Sequence, residues 1–253
     1  EHFSLKSRLW HRAIRPRALL NRADQIIAVS EHTRRDLVET YGIAPEKMAV
    51  VYPGVNQVSG VRDQGSGINS ETCNLKPSPY ILYLGALEPR KNIEGLIAAY
   101  EALRPRENLV IAGLATPYIC ELKKIIAQSR MRGQIRLVEN PTEEEKEKLY
   151  AAARLFVYPS FYEGFGFPPL EAMSYGVPVV ASSATSVPEI CDDAALLVSP
   201  WKVEEIKEGM RILLEDDETR KSYITAGYKR VKEFSWERCG AQVLEIFKHI
   251  ASL

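Results

Sequence analysis

Leu155-Phe-Val-Tyr-Pro159 leads through Ser160-Phe-Tyr into Glu163-Gly-Phe-Gly-Phe-Pro-Pro-Leu-Glu171, and then into Ala172-Met-Ser-Tyr-Gly176. The apolar run ending at Tyr158 has the length and composition of a buried strand. Pro168 and Pro169 suit the opening turn of a helix, where a missing N–H costs nothing. The segment therefore predicts a strand, a loop and a helix, the repeating junction of an α/β fold. It places Glu171 in the first helical turn and Glu163 on the preceding loop. Gly164 and Gly166 let a ligand approach the backbone closely. A helix N-terminus attracts anions through its free N–H groups and its dipole. Two carboxylates would repel a bare phosphate, but a ligand with phosphate at one end and neutral hydroxyls at the other satisfies both features, as a nucleotide sugar does. Each Glu by itself has a plainer reading, since carboxylates near helix starts often serve only the dipole and Gly/Pro clusters often only make turns. The whole string favours the ligand.

Outward from this junction, apolar runs alternate with helical periods. Ile26 to Val29 reads as a strand, Glu31 to Tyr41 as a helix capped by Ser30, and Met48 to Tyr52 as a strand. The stretch from Val55 to Pro79 is rich in Gly, Ser, Asn, Gln and Pro and reads as a linker or long loop. Strands follow at Tyr80–Leu84, Leu109–Ala112, Ile135–Val138, Leu155–Tyr158, Val177–Ala181 and Ala194–Val198. Helices are expected at 92–103, 117–129, 142–152 and 169–175, then at 201–214, 217–234 with a break near Gly227, and 236–250. Such alternation predicts a doubly wound parallel sheet with the ligand at the C-terminal strand ends. Residues 1–52 supply too few strands for a separate domain of this kind.

The chain has 253 residues, 45% of them hydrophobic and 26% charged, enough to bury a sizeable core. Formal charge is zero, so no global field points toward nucleic acid. The basic concentration is local, with Lys6, Arg8, Arg12, Arg15, Arg17 and Arg22 among Leu9, Trp10, Ile14, Leu19 and Leu20. That stretch suits a peripheral contact with a membrane surface or an anionic acceptor, and somewhat better a solvated helix face on a domain surface. Cys73, Cys120, Cys191 and Cys239 are widely spaced and no C-x-x-C occurs, which predicts neither a zinc site nor a disulfide framework. No apolar run of about 18 residues and no signal-peptide pattern is present, so the expected location is the cytoplasm, with peripheral attachment at the inner face of the membrane as an extension.

Tyr80-Ile-Leu-Tyr-Leu-Gly-Ala-Leu-Glu-Pro-Arg-Lys-Asn92 carries the second constellation. The strand runs into Gly85, and a short loop delivers Arg90 and Lys91 to the C-terminal edge of the sheet. An Arg fork with a mobile Lys charge suits a diphosphate. Competing motifs fail. Pro169 stands where a dinucleotide fingerprint needs its third small residue, and neither a P-loop nor a G-x-S-x-G elbow occurs. Asp192-Asp193 reads as a turn, and His2, His11, His32 and His249 match no metal or triad pattern.

Glu163 and Glu171 resemble the E-x7-E motif of retaining family 4 (group 1) glycosyltransferases of GT-B architecture, and Gly85 to Asn92 is similar to their phosphate-binding loop. Ala23–Ser30, Pro53–Val55, Gly176–Ala181 and Pro188–Ile190 extend the resemblance over nearly the whole chain. It implies a Rossmann-like donor domain over 80–235. It further implies a linker over 53–79, the closing part of an N-terminal acceptor-side domain over 1–52, and a C-terminal helix over 236–253 crossing back to that domain. In such enzymes the second Glu, here Glu171, binds ribose and the first, here Glu163, binds the donor sugar. Arg90 and Lys91 would neutralise the leaving diphosphate. Gly85 and the backbone amides of Phe165, Gly166 and Phe167 would contact the donor, and the base would lie near Val138 and Asn140. The implied reaction moves a hexose, mannose among the candidates, from GDP-mannose or a UDP-sugar to a glycan or lipid-linked acceptor, with no metal and no cofactor. Two departures stand out. Ala86 replaces an Arg found in many relatives, and about one hundred residues of the first domain are expected to be missing. The alternative is therefore a donor-binding module that is catalytically silent alone.

Overall fold

The computed structural model describes residues 15–56 and 79–252. His2, His11, Cys73, the basic residues before Arg15 and most of the expected linker lie outside them. In chain order the elements are α1 (Pro16–Arg22), β1 (Ile26–Ala28), α2 (Glu31–Tyr41), β2 (Met48–Val50), β3 (Tyr80–Leu84), α3 (Ile93–Leu103), β4 (Asn108–Gly113), α4 (Ile119–Gln128) and β5 (Ile135–Glu139). They continue as α5 (Glu143–Ala152), β6 (Ala153–Tyr158), α6 (Phe167–Ser174), β7 (Val179–Ser182), α7 (Val187–Cys191), β8 (Leu196–Val198), α8 (Val203–Glu215), α9 (Asp217–Val231) and α10 (Trp236–Ala251).

The main sheet has six parallel strands in the order β5-β4-β3-β6-β7-β8. Its central strands are apolar along most of their length because helices cover both faces: Ile81, Leu82, Tyr83, Leu109, Ile111, Leu155, Phe156, Val157, Val179 and Val180 are all buried. The chain leaves β3 toward one side of the sheet and returns at β6 to build the other. The crevice above the C-terminal ends of β3 and β6 is thus the topological switch point, where ligands of open α/β sheets bind. β1 and β2 pair in parallel as a separate two-stranded sheet, with α2 as the crossover. Ser30 caps α2 by accepting from the Thr33 N–H at 3.0 Å, and Thr142 with Glu145 closes a capping box on α5.

Several local expectations are corrected. α9 runs unbroken through Gly227, which is buried and faces Met173 of α6; the missing side chain lets the two helices approach instead of interrupting either. Val187–Cys191 forms a helix that the sequence pattern had hidden, and Asp192–Ala194 forms a 3-10 turn, so the strand expected from Ala194 begins at Leu196. β7 begins at Val179, because Pro178 cannot donate to the ladder. At the rim of the crevice Gly113 has φ 157°, and a Cβ there would overlap the Gly85 carbonyl oxygen. The ends of β3 and β4 can approach only because Gly113 has no side chain.

Candidate functional site

Two loops meet above the switch point, one after β3 and one after β6. The first carries a 3-10 turn at Pro89–Lys91 and then Asn92, in the left-handed region at φ 55°. The Asn92 side chain accepts from the Gly95 N–H at 3.2 Å and caps α3, while its amide donates to the carbonyls of Pro159 at 3.2 Å and Pro200 at 2.6 Å. The Phe161 N–H donates to the Arg90 carbonyl at 2.9 Å. These bonds lock the two loops together and bring Arg90, Lys91 and Glu163 into one cluster.

The sequence places both cations at the C-terminal edge of the sheet, and there the structure pairs them with Glu163. Lys91 is only 5% exposed and Glu163 6%. Lys91 Nζ lies 2.5 Å from Glu163 Oε1 and 2.9 Å from the Tyr158 hydroxyl, which itself donates to Glu163 Oε1 at 2.9 Å. Arg90 stays at the surface. Its guanidinium reaches Glu163 Oε2 at 3.3 Å, Glu88 Oε2 at 2.8 Å and the Tyr162 carbonyl at 3.0 Å. Burial lowers the Lys91 pKa, and the attraction of Glu163 offsets this only in part. Burial also opposes the charge on Arg90, but Glu163 and Glu88 together outweigh it and raise its pKa. The Tyr158 hydroxyl is pushed well above its usual range by burial and by the Glu163 carboxylate, so it stays a neutral donor. Tyr83 stacks on Tyr158 with ring centroids 6.2 Å apart and supports the cluster from below.

The first helical turn does not hold Glu171. Gly166, at φ 115°, ends the loop as the N-cap, so α6 begins at Phe167 and Glu171 is its fifth residue. A helix started two residues early carries Glu171 out of its opening turn. One oxygen of the half-exposed Glu171 accepts from the buried Tyr150 hydroxyl at 2.7 Å, and Tyr150 stacks on Tyr175 at 5.5 Å. Tyr150 and Tyr158 bond Glu171 and Glu163 and are neighbours that sequence reasoning missed. Their place at the ends of α5 and β6, directly behind the E-x7-E string, was the available signal.

The Phe165 side chain is buried against Tyr52, Phe167 and Phe234 and anchors the loop. Among the described residues, the backbone N–H groups of Phe165, Gly166 and Phe167 donate to no protein acceptor. Gly85 closes β3 and donates to the Ala112 carbonyl at 3.1 Å. Val138 and Asn140 lie apart from the cluster, at the end of β5. There Asn140, at φ 52°, accepts from the Ala115 N–H at 2.9 Å and shapes the far wall of the crevice. A cavity of about 460 Å³ lined by Arg104, Arg106, Glu107 and Arg154 opens at the opposite end of the sheet and contains none of the expected site residues. Among the described residues no group of three or more His, Cys, Asp or Glu is placed to hold a metal ion, and no helix is long and apolar enough to cross a membrane.

The segment before the linker docks on the same loop. Ser30 and Thr33 hydroxyls donate to the Gly164 carbonyl at 2.6 and 2.9 Å, and Tyr162 bonds Asp36. Glu189 of α7 accepts from the N–H groups of Glu31 at 2.6 Å and His32 at 3.0 Å, and from the Tyr52 hydroxyl at 2.9 Å. A carboxylate at the N-terminus of α2 satisfies free donors and complements the helix dipole.

A doubly wound sheet with a cation–carboxylate cluster at its switch point defines an open α/β protein with a candidate ligand site. More particularly, the family model for glycosyl transferases group 1 matches residues 70–230, and the chain belongs to that family. A glycosyltransferase family 4 model matches residues 1–57. The chain is 36% identical over 234 residues to O-antigen chain mannosyltransferase B of Escherichia coli, covering 90% of this chain and 61% of that protein. Its fold is similar to sucrose-phosphate synthase from Thermosynechococcus elongatus, with TM-score 0.82 at 24% identity, covering 95% of this chain and 62% of that one. It is also similar to Anabaena HepE solved in complex with UDP-glucose, with TM-score 0.80 at 22% identity, covering 100% of this chain and 69% of that one. The chain spans less than two thirds of the length of the curated mannosyltransferase.

Proposed function

We propose that this chain carries the donor side of a retaining glycosyltransferase that moves a hexose from a nucleoside-diphosphate sugar to a glycan or lipid-linked acceptor. The observation that carries the reading is the Arg90–Lys91–Glu163–Tyr158 cluster beside a row of unengaged amides at the β3/β6 switch point. In the free protein Glu163 holds both cations. An arriving diphosphate takes over Arg90 and Lys91 as its counter-charges, which frees Glu163 to accept from hydroxyls of the donor sugar. The exchange keeps every buried charge partnered, as a low-dielectric site requires. Transfer breaks the bond from the anomeric carbon to the phosphate oxygen and forms one to the acceptor oxygen. The acceptor hydroxyl releases its proton to water, and the nucleoside diphosphate departs with one more negative charge than it had in the donor. Arg90 and Lys91 stabilise that developing charge, which makes them groups of the transition state.

Glu171 has one oxygen fixed by Tyr150 and offers the other to the ribose hydroxyls. The base then lies toward Val138 and Asn140, and the amides of Phe165, Gly166 and Phe167 serve phosphate or sugar oxygens. The mannosyltransferase relative supports mannose, and hence GDP-mannose ahead of UDP-sugars. Residues 80–235 then act as the donor domain and 1–52 as part of the acceptor side. The basic stretch before Arg22 is suited to hold the protein at the inner face of a membrane. A thermal-shift panel of UDP, GDP and ADP with their hexose conjugates tests the reading, because a ligand at 100 times its Kd stabilises by about 2.7 kcal/mol. A clear shift with one base and its sugar nucleotide is expected. No shift with any of them would refute the donor site.

A further inference from the structure

The loop that carries Glu163 is held by hydroxyls at three successive carbonyls. Ser186, fully buried, donates to the Glu163 carbonyl at 3.0 Å and the Phe165 carbonyl at 2.8 Å. Ser30, also fully buried, and Thr33 both donate to the Gly164 carbonyl between them. The Glu163 N–H is taken by the Thr185 hydroxyl at 3.0 Å. None of these peptides is cis, and in a trans peptide the C=O and the following N–H point in opposite directions. Fixing the carbonyl of Gly164 toward α2 therefore fixes the N–H of Phe165 away from it. Fixing those of Glu163 and Phe165 toward Ser186 sets the N–H groups of Gly164 and Gly166 on the other side. Two glycines in this loop would otherwise let its peptides rotate at little cost.

We infer that Ser30, Thr33 and Ser186 are positioning residues, whose hydroxyls pin the peptides of this loop so that the N–H groups of Gly164, Phe165 and Gly166 keep fixed directions as donors to the sugar and phosphate oxygens of a nucleotide sugar. The inference rests on the donor-site reading and adds a consequence. Ser30 and Thr33 lie more than 130 residues before Gly164, on α2, so the segment ahead of the linker sets the shape of a site it does not line. A pre-oriented donor row loses no ordering entropy when ligand arrives.

The test compares the full wild-type chain with Ser30→Ala/Thr33→Val and with the hydroxyl-retaining exchange Ser30→Thr/Thr33→Ser. Calorimetry with UDP, UDP-glucose, GDP and GDP-mannose is paired with amide NMR of Gly164, Phe165 and Gly166. In the wild type the bound sugar nucleotide should shift the three amide signals. The hydroxyl-free variant should bind it about tenfold more weakly, the worth of one or two hydrogen bonds, with those shifts diminished, and the exchange variant should recover most of the affinity. If Ser30→Ala/Thr33→Val does not fold, Thr33→Val alone, which keeps the Ser30 cap, is read in the same way. Equal affinity and equal amide shifts in hydroxyl-free and wild-type proteins would overturn the inference and leave the donor site standing. No binding of any probe to the wild type would overturn both.

Discussion

Replacing Lys91 by methionine keeps most of its apolar stem and removes the charge from a buried cluster. Lys91 and Glu163 side chains are 6% and 8% exposed, so solvent screens their pairing little. Without the ammonium, Glu163 keeps the Tyr158 hydroxyl and a long 3.3 Å contact to Arg90, and its carboxylate loses its closest counter-charge. Breaking a buried pair on one side costs about 3–5 kcal/mol, because an uncompensated charge is left behind. A domain of this size loses about 2–4 °C of melting temperature per kcal/mol, so Lys91→Met should melt about 6–20 °C lower than wild type. Glu163→Gln in the same background removes the stranded charge, and the double variant should regain most of that loss. The assay is a double-mutant cycle by urea unfolding. A loss below about 1 kcal/mol for Lys91→Met, in the range of exposed ion pairs, would refute the buried-cluster reasoning.

Three further outcomes follow from the same geometry. Glu189→Gln removes the charge from a carboxylate that receives two N–H groups of α2 and the Tyr52 hydroxyl, and should lower stability by about 1–2 kcal/mol in urea unfolding. Gly113→Ala drives a Cβ into the Gly85 carbonyl and should cost about 3 kcal/mol or more, seen as poor yield or a strongly lowered melting point. Because the Lys91 pKa is lowered in the fold, folded protein binds fewer protons than unfolded between that value and 10.5. Nucleotide diphosphate affinity should therefore fall as Lys91 loses its charge, at a lower pH than an ordinary lysine would give. Calorimetric titrations across the alkaline range check this.

The sheet was legible because its strands are buried on both faces, so β3 and β6 stand out as apolar runs bounded by Gly85 and Pro159. The gathering of Arg90, Lys91 and Glu163 at one sheet edge was legible because loops after parallel strands meet there. Their mutual pairing was not, since adjacency in the chain does not say which way a side chain turns. The position of Glu171 in α6 was misjudged because the helix start is set by the left-handed backbone of Gly166, a dihedral that sequence only permits. Ser30 was recognised as a helix cap, but its second bond, to Gly164, spans 134 residues and leaves no local pattern. Glu189 behaves in the same way: its partners on α2 are fixed by docking, not by spacing.

The central question for this protein is whether the cluster and Glu171 receive a nucleoside diphosphate. Isothermal titration of UDP and GDP into wild type, Lys91→Ala and Glu171→Ala decides it. Binding by the wild type that weakens about tenfold or more in each variant is the predicted result, for loss of a charged partner and of a ribose acceptor respectively. Wild-type binding left unchanged by both substitutions would contradict the site.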